Sequence, residues 1–484
     1  MKFASKLLNK LKYLTMIVLV TTVVSCDSWS EDRIMENTLF SSQAGFMTAL
    51  NGVYIELLNS NLYGGTLSYK TFDILAQYYD CDKDEQTWQK LSTFDQTAKK
   101  GQVAGLWSKA YTLLVNVNTI IEACDERKDV LNSEYYHVLK GEALALRGLL
   151  HFEVFKVFGP IYSVDPETEC MPYSESSDLK VRPLLKASEV ARLIMDDFKA
   201  AEELLKDYDP VIKKGALWGD EGPGLPNDMV YRSLRLNYYA VWALKARMCW
   251  YLGDEYADEA YRIATTLLEG KDPKTNEANN FNTAFTPVSQ TVAVKDRVFF
   301  CEELFALHNM KRTTMYKELF SSDLEDDNIL LSTESYINKL YDEPNDYRKN
   351  PWEVATGRQT SGLMVFVKYA EQTENRSDPY LYEIQSMLRL SELYLIAAAT
   401  TNDDAVASSW LEKLRMIRGY QSGMVGTDVQ TTLRQEWEKE FYGEGQYYYY
   451  LKRNGITSVS GPNGSKKPNY IIPLPESETD NRRD

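Results

Sequence analysis

Histidine is nearly missing from this chain. There are three in 484 residues (His137, His151 and His308) and they do not cluster. A zinc site or a His-based triad is hard to build from them, so neither metal nor cofactor is expected. Cysteine is scattered: beyond Cys26 there are Cys81, Cys124, Cys170, Cys249 and Cys301, with no C-x-x-C pair. An odd count leaves at least one thiol unpaired. Cys124 and Cys249 lie in apolar helical stretches and read as small core residues. Basic residues fall short of acidic ones, 54 against 70, for a net charge of −16. That balance argues against nucleic acid, and against polyanionic glycans as bulk electrostatic partners. Long apolar runs are lacking too. The run from Leu14 to Val24 is 11 residues, whereas a membrane-spanning helix needs roughly 20.

What that run does have is the right neighbours. Lys2, Lys6, Lys10 and Lys12 precede it with no acidic residue, and Val24-Ser25-Cys26 closes it. This is the order of a secretory signal peptide. Val23-Val24-Ser25-Cys26 looks like a bacterial lipobox, so residues 1–25 are expected to be cleaved and Cys26 to become the lipid anchor. Acyl chains contribute about 0.8 kcal/mol per buried CH₂, enough in combination to hold a soluble domain at a bilayer. Four lysines leave with the leader, so the charge of −16 becomes −20. Residues 26–41 then read as a polar tether, and 42–484 as one helical domain.

Apolar residues recur at helical spacing through most of that span. Phe46, Leu50, Val53, Tyr54 and Leu57 form one stripe. Trp107 to Ile121 carries a second, and Leu139 to Val157 a third that stops at Gly159-Pro160. Val190 to Leu205 predicts a further helix with Ser188 as its N-cap. Small residues flank short turns at 231–252 with 254–269, and again at 381–399 with 403–418, predicting helix pairs of tetratricopeptide type. No strict 34-residue period survives. A last helix is predicted over 431–451. Residues 271–380 are rich in Asn, Asp, Thr and Pro and predict a loop-rich insertion with short strands, including the apolar run Leu363–Val367. The fold expected is mainly α, with at least eight helices.

Aromatics are abundant, with 33 tyrosines and 9 tryptophans. Tyrosine and tryptophan present flat apolar faces with a polar tip, which suits stacking on sugars or peptides. Tyr78, Tyr79 and Trp88 fall in the aperiodic stretch 59–101, Trp218 in the Gly/Pro-rich loop 207–229, and Trp352 in the insertion. Aromatics on loops have fewer packing reasons to exist than those on helical stripes, so these five are the candidate ligand contacts.

Several blocks resemble one family. TLFSSQAGFMTALNGVYIELL (38–58), WSKAYTLLVNVNTII (107–121), GEALALRGLLHFEVFKVFGPI (141–161) and RLNYYAVWALKARMCWYLGDEYADEAYRIATTLL (235–268) resemble successive helices of the SusD/RagB lipoproteins. MLRLSELYLIAAA (387–399), RMIRG (415–419), EKEFYGEGQYYYYLKRNG (438–455) and YIIPLPESE (470–478) are similar to its later blocks, in the same order. One departure marks a divergent branch. Where the family has an Arg and an Asp after Glu-Gly, this chain has Tyr447 and Tyr450, which predicts altered core packing. The resemblance implies a SusD-like helical fold and a non-catalytic binder, lipid-anchored on the outer face of the outer membrane. It further implies an oligosaccharide or peptide ligand and a SusC-like TonB-dependent transporter as partner. The rival reading is a surface glycoside hydrolase of helical-barrel type. That needs two carboxylates about 5–9.5 Å apart across a cleft, and with 70 acidic residues a pair such as Asp73 and Asp80 is easily nominated.

Overall fold

The stripe that follows Ser42 forms a helix, Gln43–Leu57 (α1), with the Ser42 hydroxyl accepting from the Gly45 N–H and every stripe residue buried. The computed structural model describes residues 38–82, 87–216, 229–356, 361–371 and 383–480. The expected signal peptide, Cys26 and Trp218 lie outside them. The other helices of seven or more residues are Gln96–Glu126 (α2), Ser133–Phe158 (α3), Ala187–Leu205 (α4), Tyr238–Leu252 (α5) and Ala257–Leu268 (α6). They continue with Arg312–Leu319 (α7), Glu334–Leu340 (α8), Leu390–Thr400 (α9), Asp404–Ile417 (α10), Val429–Glu440 (α11) and Tyr447–Arg453 (α12). With 53% helix and only short strands in small sheets, the fold is mainly α.

Neighbours in sequence become neighbours in space. α2 packs on α3, α3 on α4, α4 on α5, α5 on α6, α6 on α9 and α9 on α10, a row of tetratricopeptide-like hairpins. Two blocks singled out in the sequence meet inside it. On α3, Arg147 donates from Nε to Asp197 of α4 at 2.8 Å and from Nη1 to Asn118 of α2 at 3.2 Å. α3 and α4 approach closely because Gly141 and Gly148 stand two turns apart on one face of α3. A Cβ at Gly148 would lie 2.7 Å from the Phe198 ring, and one at Gly141 2.8 Å from Leu205.

His151, also on α3, is locked as a neutral ring. Its Nε2 accepts from the Ser174 N–H at 3.0 Å, so Nδ1 carries the proton and donates to the Arg147 carbonyl at 2.9 Å. Burial above all pulls its pKa down to about 3. The folded chain therefore refuses a proton that the unfolded chain takes as pH drops through about 6.5. Stability present above pH 6.5 should be lost as pH falls toward 3, by about 1.4 kcal/mol per pH unit from this group. Urea titrations from pH 7 to 5 should show a shallower loss for His151→Gln than for the parent. Equal slopes would refute the assignment.

Three boundaries differ from expectation. α4 begins at Ala187 with Lys186 as its cap, because Glu189 accepts from the Lys186 N–H at 3.2 Å; the Ser188 hydroxyl turns to Glu167 instead. Residues 384–389 form a strand and not the start of a helix. The strands up to this point in the chain are Glu169–Met171 (β1), Leu185–Lys186 (β2), Glu303–His308 (β3), Leu331–Thr333 (β4), Trp352–Val354 (β5), Leu363–Phe366 (β6) and Ile384–Arg389 (β7); β7 pairs antiparallel with β3, Ala306 opposite Ser386. It is buried on both faces, where apolar periodicity cannot tell strand from helix. The last helix breaks into α11 and α12 at Gly443 and Gly445, both at positive φ. The buried Asp73 carboxylate holds that turn, accepting from the Gly443 and Gly445 N–H groups at 2.8 and 2.9 Å. The expected run Leu363–Val367 does supply a strand, Leu363–Phe366, central in a three-stranded sheet between Leu331–Thr333 and Trp352–Val354.

At the centre lies a buried ionic knot. Glu440 on α11 accepts from Arg389 at the end of β7 (2.5 Å), from Arg418 at the end of α10 (2.7 and 2.9 Å) and from Arg348 (3.2 Å). Arg418 also grips Glu302 with two bonds of 2.7 Å. Burial alone would raise the Glu440 pKa; the arginines reverse it and hold this carboxyl well below the usual range.

Candidate functional site

α11 starts because Asp428 caps it, accepting from the Thr431 N–H at 3.0 Å. Thr431, Arg434, Gln435 and Glu438 then recur at i, i+3, i+4 and i+7, one face of the helix. The opposite face, with Leu433, Glu436, Trp437 and Glu440, is buried. The polar face forms one wall of a cleft of about 570 Å³. Ser335, Tyr336, Lys339 and Leu340 of α8, with Asp342, make the second wall. The third is the hairpin of Val459–Gly461 and Gly464–Lys466.

The hairpin is held in place from far away in sequence. Asn463 donates to Asp80 at 2.9 Å, and Lys466 pairs with Asp82 and reaches the Ser92 hydroxyl at 3.3 Å. The cleft floor is a connected network. Tyr336 and Tyr447 donate their hydroxyls to the two oxygens of Glu438, the latter at 3.1 Å. Arg434 donates from Nε to the Tyr447 hydroxyl at 3.1 Å and from Nη2 to the Ser458 carbonyl at 3.2 Å. Burial pushes the Glu438 pKa up against those hydrogen bonds. Tyr447 also stacks on Tyr450 at 5.9 Å, so the residues that replace the family's charge pair do pack as aromatic neighbours.

The candidate contacts drawn from loop aromatics fare differently. Tyr78, Tyr79 and Trp352 come together, around Tyr442, with ring centroids 3.9, 5.7 and 4.6 Å from it. All three are buried and cannot present a face to a ligand. Tyr78 lies directly behind the cleft, donating to the Glu438 carbonyl at 2.7 Å, and Tyr79 donates to the Tyr69 carbonyl at 3.1 Å. Their stretch lacks helical period yet is covered by α11, α12 and the sheet, so aperiodic did not mean exposed. Trp88 is half-buried, with the Lys70 ammonium 5.4 Å from its ring centre. Asp73 is consumed by the Gly443–Gly445 turn, which removes it from any catalytic pair with Asp80.

No histidine or cysteine lines the cleft, and among the described residues no cluster of His, Cys, Asp or Glu is placed to hold a metal ion. The cleft offers hydroxyl, amide, ammonium, guanidinium and carboxylate groups beside one tyrosine ring, a surface for hydrogen-bonding a polar ligand. A second hollow of about 720 Å³ lies where residues 467–472 cross the end of α3, but Phe158, Pro160, Ile161, Ile471 and Ile472 make much of it apolar. Its buried Lys452 is taken up by the carbonyls of Lys156 and Gly159 at 2.8 and 2.7 Å.

Residues 28–213 match the family SusD-like_3, described as starch-binding associating with outer membrane. Over that span the chain is SusD-like in sequence. Solved structures extend the likeness over the whole SusD-like fold. A SusD superfamily protein from Bacteroides thetaiotaomicron VPI-5482 superposes with a TM-score of 0.70 at 20% identity, over 91% of this chain and 98% of that one. Surface glycan-binding protein A from Bacteroides thetaiotaomicron gives a TM-score of 0.65 at 18% identity, over 91% and 98%. The same protein in complex with laminarihexaose gives 0.63 at 17%, over 90% and 97%. No curated protein sequence matches the chain. Periodicity could have found the cleft's helical wall, since Thr431, Arg434, Gln435 and Glu438 obey it. A polar helical face is ordinarily just solvated, however, and only the hairpin placed across it makes a cleft.

Proposed function

We propose that this SusD-like protein is a non-catalytic lipoprotein of the outer membrane surface, anchored through Cys26, that captures oligosaccharides or peptides for a SusC-like TonB-dependent transporter. The observation that carries the reading is the polar cleft between α8, α11 and the 459–466 hairpin, on a fold shared with a surface glycan-binding protein bound to laminarihexaose. Sugars are recognised by planar and hydroxyl hydrogen-bonding groups with an aromatic face nearby, which is the chemistry lining this cleft. None of the helices among the described residues is long and apolar enough to cross a membrane. Delivery across a bilayer then needs a separate channel, and tethering both proteins to one membrane raises their effective concentration.

The purified protein should bind members of an oligosaccharide mixture with micromolar-to-millimolar affinity and release them unchanged, and in mild detergent it should co-purify with a β-barrel receptor. Cleaved product that disappears on mutating one acidic pair would favour the hydrolase reading. Recovery of the protein alone, under conditions that preserve such receptor complexes, would remove the delivery step.

A further inference from the structure

Donors and acceptors in the cleft are unequal. A neutral sugar hydroxyl both donates and accepts, so a site for neutral sugars offers both roles. Here some of the acceptors are already engaged. Both oxygens of Glu438 already take tyrosine hydroxyls, and the Ser460 and Ser465 hydroxyls hold each other at 2.9 Å. Asp342 keeps one oxygen free, the other accepting from Lys439 at 3.0 Å. The donors are in surplus. Arg434 spends Nε and Nη2 on neutral oxygens, forms no ion pair with a carboxylate, and keeps Nη1 for a ligand. The exposed Lys339 ammonium makes no bond within the described chain, and the Gln435 amide beside the helix, equally unbonded there, offers a donor and an acceptor.

We infer that the cleft selects oligosaccharides bearing carboxylates, the uronic acids, over neutral ones of the same length. This rests on the capture reading above. A carboxylate brings two acceptor oxygens and one negative charge to Arg434 Nη1 and the Lys339 ammonium, and charge-assisted hydrogen bonds are about twice as strong as neutral ones. The acidity of the whole chain is not an obstacle, because charges beyond about 8 Å are largely screened at physiological ionic strength.

The test is calorimetric titration of the full processed protein with a hexamer of galacturonic acid, its methyl ester, and a neutral galactose hexamer. The acid should bind at least tenfold more tightly than its ester, with the gap closing at high salt. Lys339→Gln, at an exposed position, should shrink that gap several-fold with an unchanged unfolding temperature. Equal affinity for acid and ester would overturn the inference and leave capture standing. If all three sugars fail to bind, the cleft is not a sugar site and the capture reading loses its location.

Discussion

Glu440→Ala should prevent the chain from reaching a stable native state. The substitution removes the carboxylate on which Arg389, Arg418 and Arg348 converge, and all four residues are buried. Breaking one buried pair from one side costs about 3–5 kcal/mol, because the remaining charge is left desolvated without compensation. Three guanidinium groups lose a partner at once here, although each keeps another carboxylate: Arg389 Glu444, Arg418 Glu302, and Arg348 Asp346 and Glu436. Whole domains are stable by only about 5–15 kcal/mol. Soluble yield and the urea midpoint are the measurements, with Glu440→Gln, which keeps the shape and loses the charge, as the intermediate case. The contrast is Glu259→Ala, whose partner Arg262 sits on the surface at 2.8 Å, where such pairs contribute about 0–1 kcal/mol. A Glu440→Ala protein that melts with the parent would show that the knot is not what holds β7, α10 and α11 together.

The second large effect is steric. Gly148→Val should destabilise by about 3 kcal/mol, at the upper end of what overpacked cores show. Its first added carbon would already stand 2.7 and 2.9 Å from the Phe198 ring, so α4 must move off α3 or Phe198 must leave its rotamer. Gly52, in α1, provides the opposite sign: nothing lies within 4 Å of a Cβ there. Gly52→Ala should stabilise by up to about 1 kcal/mol through helix propensity alone. Thermal unfolding of the two variants side by side separates packing from propensity. Equal shifts in one direction would refute the close contact of α3 with α4.

The helical row was legible because its signals are local. The stripe from Phe46 to Leu57 needs only a period, and Asn118 and Arg147, bonded in the fold, each stand within a recognisable block. What failed depended on partners distant in sequence. Ile384–Arg389 is a strand because β3 lies beside it, and the tyrosine run splits from α11 because Asp73 claims the Gly443 and Gly445 amides. Tyr78, Tyr79 and Trp352 lie in segments without period, yet all three are buried. Burial of an irregular segment is decided by what folds over it, here α11, α12 and a sheet strand. For the same reason the cleft could not be read ahead: α8, α11 and the hairpin are separated by loops whose geometry no local pattern encodes.

Asp73 reaches Gly443 and Gly445 across 370 and 372 residues, Tyr78 reaches Glu438 across 360, and the Lys99 ammonium holds the Asn469 and Ile471 carbonyls at 2.8 and 2.9 Å. The first and last parts of the chain are thus stitched together, and contacts of such span are slow to form because loop closure must precede their gain. A ribosome would have to release almost the entire polypeptide before the stitch could close. For a protein carried out of the cell as proposed, that delay is useful: the chain stays threadable until it arrives, and the final tenth acts as the clasp that ends its journey.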